Sequence, residues 1–344
     1  MDHKFNTTFF EEIISKQTKR PIKVKDLRIE NYLDEPGLHW SNPGIRKVSI
    51  TTNIGRIELI VKTLHERSKR EILVYRFLSR HQGFPIPKIY YTECDEINNI
   101  FVLITEFGDI IGEWPFREPQ IQLCALLLAK IHSFFWDKVD TLPDLFFRKS
   151  YYDNRYKFKE NAVSFLNNLN SKEIEMIEEI YPNFNTLKRS IKSLDKSFFN
   201  NDPDAIWTLI HGAFHPPEIV SRMEKNKVLP LGVDWENSRV GYPAEDLVGI
   251  IGQLADWGEH HFHSLMVDTY MEEMKNQGIT IEKKSLENDI IVENIITRIK
   301  GLPWLWNQYL INKDNPAFSR WTSWFKESMP KITNFFLNDL IKIV

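Results

Sequence analysis

Apolar and polar positions alternate along three stretches near the start of the chain, Ile22 to Tyr32, Arg46 to Asn53 and Ile57 to Leu64, and each alternation predicts a strand. Gly37, Gly44 and Gly55 punctuate them as turns. From Glu66 to His81 the spacing becomes helical, with Ile72, Tyr75, Phe77 and Leu78 forming an apolar side. Lys88 to Cys94 and Phe101 to Glu106 return to strand. Three strands, a helix and two further strands predict an antiparallel sheet with one helix against it.

Beyond Phe107-Gly108-Asp109 the pattern changes again. Ile121, Cys124, Leu128, Ile131 and Phe135 recur at helical spacing and predict a buried helix over Pro119 to Trp136. Tyr151 to Phe199 reads helical and charged, with breaks at Pro182 and Asn183. Residues 206–235 read as a compact, mostly extended unit. From Asp246 onward the pattern is helical, with breaks expected near Gly278, Gly301 and Pro303. The shift in character sets one boundary, giving domains 1–106 and 107–344, and no internal repeat or low-complexity tract stands out.

Composition narrows the functional classes. A chain of 344 residues, 42% hydrophobic and 26% charged, has enough apolar material for a sizeable core. A formal net charge of −3 gives no field to draw in nucleic acid or anionic lipid, so neither is expected as a partner. No apolar run approaches the roughly 18–20 residues of a membrane span, and the opening MDHKFNTTFFEEII lacks the layout of a secretory signal. Two cysteines, Cys94 and Cys124, form neither a disulfide framework nor a C-x-x-C pair, and a reducing cytoplasm is the expected location.

Four pieces carry candidate chemistry. Lys62 closes the apolar run Leu59-Ile60-Val61, and Glu71 follows in the predicted helix. A lysine and a helix glutamate so placed can pair and hold the lysine against nucleotide phosphates, although each taken alone also suits a solvated surface. Glu106-Phe107-Gly108, a strand opening into a glycine turn, suits a hinge whose backbone bonds a base edge, or equally a plain strand end. His211-Gly212-Ala213-Phe214-His215-Pro216-Pro217-Glu218 is a turn rich in His, Gly and Pro. Val233-Asp234-Trp235-Glu236 places a carboxylate after a short apolar strand, a setting that suits magnesium, which takes oxygen ligands and keeps several waters.

The last two pieces, together with Glu245-Asp246-Leu247 and Leu128-Ala129-Lys130-Ile131-His132-Ser133, resemble the catalytic loop, metal strand and conserved helix of the aminoglycoside phosphotransferase and choline kinase family. That family carries H-G-D-x-x-x-x-N, then an apolar-I-D-W/F-E segment, then D-L. The resemblance runs from about residue 45 to 250. It implies an α+β, two-lobed protein-kinase-like fold, with a small antiparallel-sheet N-lobe bearing one helix and a larger, mainly helical C-lobe. It also implies ATP, or another nucleoside triphosphate, with magnesium as cofactor, and a small-molecule acceptor in the C-lobe cleft.

By this resemblance Asp234 is the principal metal ligand and Asp246 braces the loop. The catalytic aspartate falls on Ala213 and the metal-binding asparagine on Glu218. His211 and His215 take loop-supporting roles, with His215 also weighed as a replacement base. Asn42, within Ser41-Asn42-Pro43-Gly44, is the candidate phosphate-binding turn, without G-x-G-x-x-G spacing.

The first expectation is therefore an ATP- and magnesium-binding pseudokinase or a catalytically impaired phosphotransferase. An active kinase of a small hydroxylated or amino-alcohol acceptor, seen here as an engineered inactive variant, stands as the alternative. A partner subunit of a biosynthetic complex, with a protein partner, is a third. On the acceptor side, Trp257, Trp304, Trp306, Tyr309, Trp321 and Trp324 offer either aromatic faces for a cationic group or ordinary core, and Glu272 and Glu273 offer negative charge.

Overall fold

The computed structural model describes residues 5–32, 44–64, 69–111, 116–147, 155–199, 206–256 and 258–343. Five strands, β1 (Val24–Asn31), β2 (Ile45–Thr52), β3 (Gly55–Leu64), β4 (Ile89–Asp95) and β5 (Ile100–Glu106), form an antiparallel sheet in the order β1-β2-β3-β5-β4. Alternation explains its two faces. Val48, Ile50, Leu59, Val61, Val102 and Ile104 all point to one side, where they pack with Phe5, Phe10, Ile13 and Ile14. Those last residues belong to or precede helix α1 (Thr7–Thr18), which the sequence reading did not anticipate. Its signal is present: Asn6 caps it by accepting from the Phe9 N–H at 3.0 Å.

Helix α2 (Lys69–Leu78) follows β3. After β5 a short strand, β6 (Asp109–Ile110), pairs with β8 (Ile219–Glu224), which in turn pairs with β9 (Lys227–Gly232). Contacts group residues 1–113 with 216–237 as one compact unit, and 114–215 with 238–344 as a second. The chain is thus not divided by a single cut after residue 106, because the β8–β9 hairpin is bonded to β6.

The second unit is mainly helical. It contains α3 (Glu118–Phe134), α4 (Arg155–Asn168), α5 (Ser171–Ile180), α6 (Phe184–Ser193), α7 (Pro243–Asp256), α8 (Phe262–Asn276), α9 (Lys283–Asn312) and α10 (Ser319–Ile343), with the two-stranded pair β7 (Thr208–Ile210) and β10 (Arg239–Gly241). Helices α4, α5, α6, α9 and α10 share one core centred on Trp306, Phe184 and Phe325.

Helix α9 corrects one expectation, since it runs unbroken through Gly301 and Pro303. Proline there removes an N–H, a cost of about 3 kcal/mol in an isolated helix. Ile299, Leu302, Trp306 and Tyr309 are buried on both sides of it, and their packing outweighs the lost bond. The break near Gly278 is present, between α8 and α9, with Gly278 at φ +82°. Among the described residues, no helix is long and apolar enough to cross a membrane.

Candidate active site

Strand alternation that buries Leu59 and Val61 turns Ile60 and Lys62 to the opposite face of the sheet. Lys62 Nζ there lies 2.8 Å from Glu71 Oε1, on the first turn of α2, and 3.3 Å from Asp234 Oδ1. Burial alone would lower the ammonium, but Glu71 and Asp234 outweigh it, so Lys62 is held charged with its pKa raised. Glu71 is pushed up to about 7, chiefly by burial, with Asp234 adding to the rise and Lys62 opposing it. The two shifts differ in origin: the carboxylates raise Lys62, whereas burial is the larger cause at Glu71, where a single ammonium answers two carboxylates. The surplus negative charge sits on Asp234, whose side chain is 44% exposed while that of Glu71 is 1% exposed.

Asp234 follows β9 in a left-handed conformation, φ +66°. Such a backbone state costs a non-glycine residue on the order of 1–3 kcal/mol and persists only where its surroundings enforce it. Here they do. Val233 N–H donates to the Glu218 carbonyl at 2.9 Å, and Gly232 N–H to the Pro85 carbonyl at 2.9 Å. Trp235 is fully buried, donates from Nε1 to the Gly232 carbonyl at 2.8 Å, and meets Phe84 edge-on. A Cβ at position 232 would stand 2.9 Å from the Trp235 ring, so only glycine fits beneath it. From α2, Arg70 Nη1 donates to the Glu236 carbonyl at 3.1 Å.

Glu218 ends a single 3-10 turn, Pro216–Glu218, just before β8, and Asp234 lies just after β9. Because Ile219 pairs with Gly232, the two carboxylate residues occupy adjoining strand ends. Among the described residues no group of three or more His, Cys, Asp or Glu side chains converges to hold a metal unaided. An exposed carboxylate with unbalanced charge and a second acid nearby does fit magnesium, which is usually shared between one or two carboxylates, phosphate oxygens and water.

At the expected hinge, the Glu106 carboxylate is already engaged, accepting from Lys88 N–H and from Arg222 Nη1, each at 2.8 Å. Phe107 N–H donates to the Glu58 carbonyl at 3.0 Å, and the Lys47 ammonium stands 3.7 Å over its ring. Gly108 is required by β8, since a Cβ there would meet Ser221 O and Val220 Cγ2 at 2.8 Å. Asn42 lies outside the described residues.

In the second unit the loop after β7 is fastened to α7. Asp246 accepts from His211 N–H at 2.6 Å and from Gly212 N–H at 2.8 Å, and lies 3.2 Å from His132 Nε2. Burial would raise its carboxyl, yet these bonds and the nearby histidines outweigh that, and its pKa is lowered. His132 in turn contacts the Tyr270 hydroxyl at 2.9 Å. One turn along α7, Gly249 accommodates the Phe214 carbonyl, which would lie 2.1 Å from any Cβ there. A further turn on, Gln253 Nε2 meets His215 Nδ1 at 2.9 Å. Burial, first among its causes, holds the His215 pKa below the ordinary histidine value, so the ring is neutral at pH 7. Ala213 sits within this fastened loop, half-buried, and offers a methyl group.

The sequence reading missed Arg239. Its Nη1 donates to the Gly212 carbonyl at 3.3 Å and its Nη2 pairs with Glu245 at 2.6 Å, both side chains being buried. An arginine in a stretch of ordinary polarity carries no spacing signal. Of the aromatics considered for the acceptor, Trp306 and Tyr309 are core residues, while Trp304 and Trp324 are exposed. Trp257 and the Trp321 side chain lie outside the described residues. Glu272 is exposed and Glu273 partly so.

The protein-family model described as "Phosphotransferase enzyme family" matches residues 46–270, well over half of the chain. No curated protein sequence matches significantly. Among solved structures, a spectinomycin phosphotransferase in complex with ADP and spectinomycin superposes with a TM-score of 0.54 at 14% identity, covering 97% of this chain and 98% of its own. An ethanolamine kinase from Plasmodium vivax gives 0.54 at 16% identity, covering 92% and 83%. An aminoglycoside phosphotransferase from Alicyclobacillus acidocaldarius gives 0.51 at 12% identity, covering 87% and 90%. At these identities the likeness establishes the protein-kinase-like fold. With the family match over the same region, the chain belongs to the phosphotransferase enzyme family.

Proposed function

We propose that the protein binds a nucleoside triphosphate with magnesium and that, with alanine at position 213, its phosphoryl transfer to a small hydroxylated acceptor is impaired. The observation that carries this reading is the Lys62–Glu71–Asp234 cluster, in which a lysine is kept charged by a buried partner and a second carboxylate keeps surplus negative charge. That arrangement suits phosphates and a divalent cation together. Asp234 and Glu218 would hold the magnesium, whose charge offsets that of the phosphates. Relatives support the nucleotide half of the reading: the spectinomycin phosphotransferase is described with ADP and with AMP.

Transfer requires the acceptor hydroxyl to lose its proton. Alanine cannot receive it, and the loss of a positioned base typically costs ~10²–10⁴-fold in rate. His215 has the right neutral form, but its ring is committed to α7 through Gln253 and the Gly249 backbone. The loop-supporting role is the one we assign to it. A reducing cytoplasm is the compartment we propose, in keeping with Cys94 and Cys124 both being free thiols.

Calorimetric titration with ATP and magnesium tests the binding half. The intact protein should bind in the micromolar range, and Asp234→Ala should lose the magnesium dependence. Equal affinity with and without magnesium in the intact protein would remove Asp234 from its role. For catalysis, Ala213→Asp assayed for phosphate transfer across amino alcohols and sugars should exceed the unaltered protein by about 10²-fold or more. Ordinary kinase turnover by the unaltered protein would contradict the impaired reading.

A further inference from the structure

The bonds of the 211–215 loop differ in which peptide plane each one fixes. The two N–H groups that Asp246 accepts, those of His211 and Gly212, belong to the planes before Gly212. The plane after it, joining Gly212 to Ala213, is held among the described residues through the Gly212 carbonyl, which accepts from Arg239 Nη1 at 3.3 Å. Gly212 has φ +82°, a region where glycine rotates with little hindrance, so that plane is the one most in need of an anchor. Asp246, the residue the family motif supplies, stops one plane short of position 213.

Arg239 is well placed for the task. It lies in β10 directly opposite Ile210 of β7, the residue preceding His211, so the strand ladder sets its distance from the loop. Its second nitrogen is tied to Glu245 at 2.6 Å, and Glu245 is itself held by accepting from the Tyr242 N–H at 3.1 Å. Both charged side chains are 6% exposed, so water competes little for either bond.

We propose that Arg239 is the positioning residue of the loop, orienting the Gly212–Ala213 peptide and thereby the direction in which the side chain at position 213 points. The assignment rests on reading residues 211–218 as the loop that faces the transferred group. It extends that reading by a residue outside the motif. Glu245 serves Arg239: it neutralises the buried guanidinium and limits its rotation.

Amide hydrogen exchange on the intact chain tests this without any nucleotide. Arg239→Met alone removes the guanidinium that Glu245 faces and leaves its buried charge in place, so the informative variant is the double one, Arg239→Met with Glu245→Gln. It lacks both charges of the pair and keeps a carbonyl for the Tyr242 N–H. Melting of the double variant should return close to that of the unaltered protein. Exchange at the amides of Ala213 and Phe214 should remain about tenfold or more faster, with exchange in α3 unchanged. Loop exchange restored along with stability would mean that Arg239 only balances charge, and would overturn the proposal.

In the Ala213→Asp background the same pair of substitutions should lower kcat by about tenfold and leave the KM for nucleotide unaltered. A rise in KM at constant kcat would also overturn it. If Ala213→Asp by itself transfers no phosphate, the functional reading of the loop fails, and the exchange result still decides whether Arg239 orients the peptide.

Discussion

The Lys62–Glu71–Asp234 cluster and the 211–215 loop are held together by opposite means. The first is a matter of side-chain charge: one ammonium set between two carboxyl groups, one of them half open to solvent. The second is a matter of backbone: N–H and C=O groups of the loop are bound by Asp246, Arg239 and the close approach of Gly249, and position 213 contributes nothing to its own placement. The difference explains how the two can diverge. Removing a charge from the first upsets the balance among the groups that remain, whereas the second can lose its reactive side chain and keep its shape. The persistence of a bound and braced loop around Ala213 is therefore physically inexpensive.

The largest test of that contrast is Asp246→Ala. It strips partners from one buried and one part-buried N–H group and from His132, and a loss of about 3–5 kcal/mol is expected, as when one member of a buried charged network is removed. Denaturant titration measures it, and a loss below about 1 kcal/mol would mean that the loop is not braced as described.

Next comes a pH effect in the charge cluster. Glu71 titrates near 7 in the folded chain, above its unfolded value of about 4.3. Between those values the folded form holds a proton that the unfolded form has released, so stability falls as pH rises. The penalty is absent below about 4.3, complete above about 7, and on the order of 3 kcal/mol. Glu71→Gln has no such term, so its stability relative to the unaltered protein should improve by about that amount from pH 4.5 to 8. A difference that stays flat with pH would show that Glu71 is ionised throughout.

Gly249→Ala should cost less, about 1–3 kcal/mol, as the Phe214 carbonyl is forced back from α7. It should speed amide exchange in the loop more than elsewhere. The smallest effect is expected at Trp304→Ala, within about 0.5 kcal/mol because the side chain is half exposed. Trp306→Ala, two residues along the same helix but fully buried, should cost about 3–5 kcal/mol. Similar losses at both positions would mean that Trp304 packs against something in solution.

Strands β1 to β5 and helix α3 were legible because alternation and helical periodicity are written in the apolar residues themselves. The expected strands Ile22–Tyr32 and Ile57–Leu64 fall within two residues of β1 and β3. Helix α1 was obscured by a polar stretch around its apolar pairs, and the continuity of α9 through Pro303 depends on partners distant in sequence. The same distinction governs the site. Lys62 and Glu71 lie close enough in sequence for their spacing to be read. Arg239 acts through a carbonyl, and a backbone acceptor leaves no imprint on the identity of Gly212's neighbours.

Residues 216–237, the hairpin carrying Glu218 and Asp234, group with the first unit although they are encoded between two stretches of the second. A fragment ending at residue 113 would possess Lys62 and Glu71 and lack the acid that shares them. One beginning at residue 114 would carry the hairpin with β6, its pairing partner, missing. Neither half is a contiguous piece of chain, so cloning them apart would not yield two working modules, and an insertion intended to separate them would have to respect three junctions instead of one.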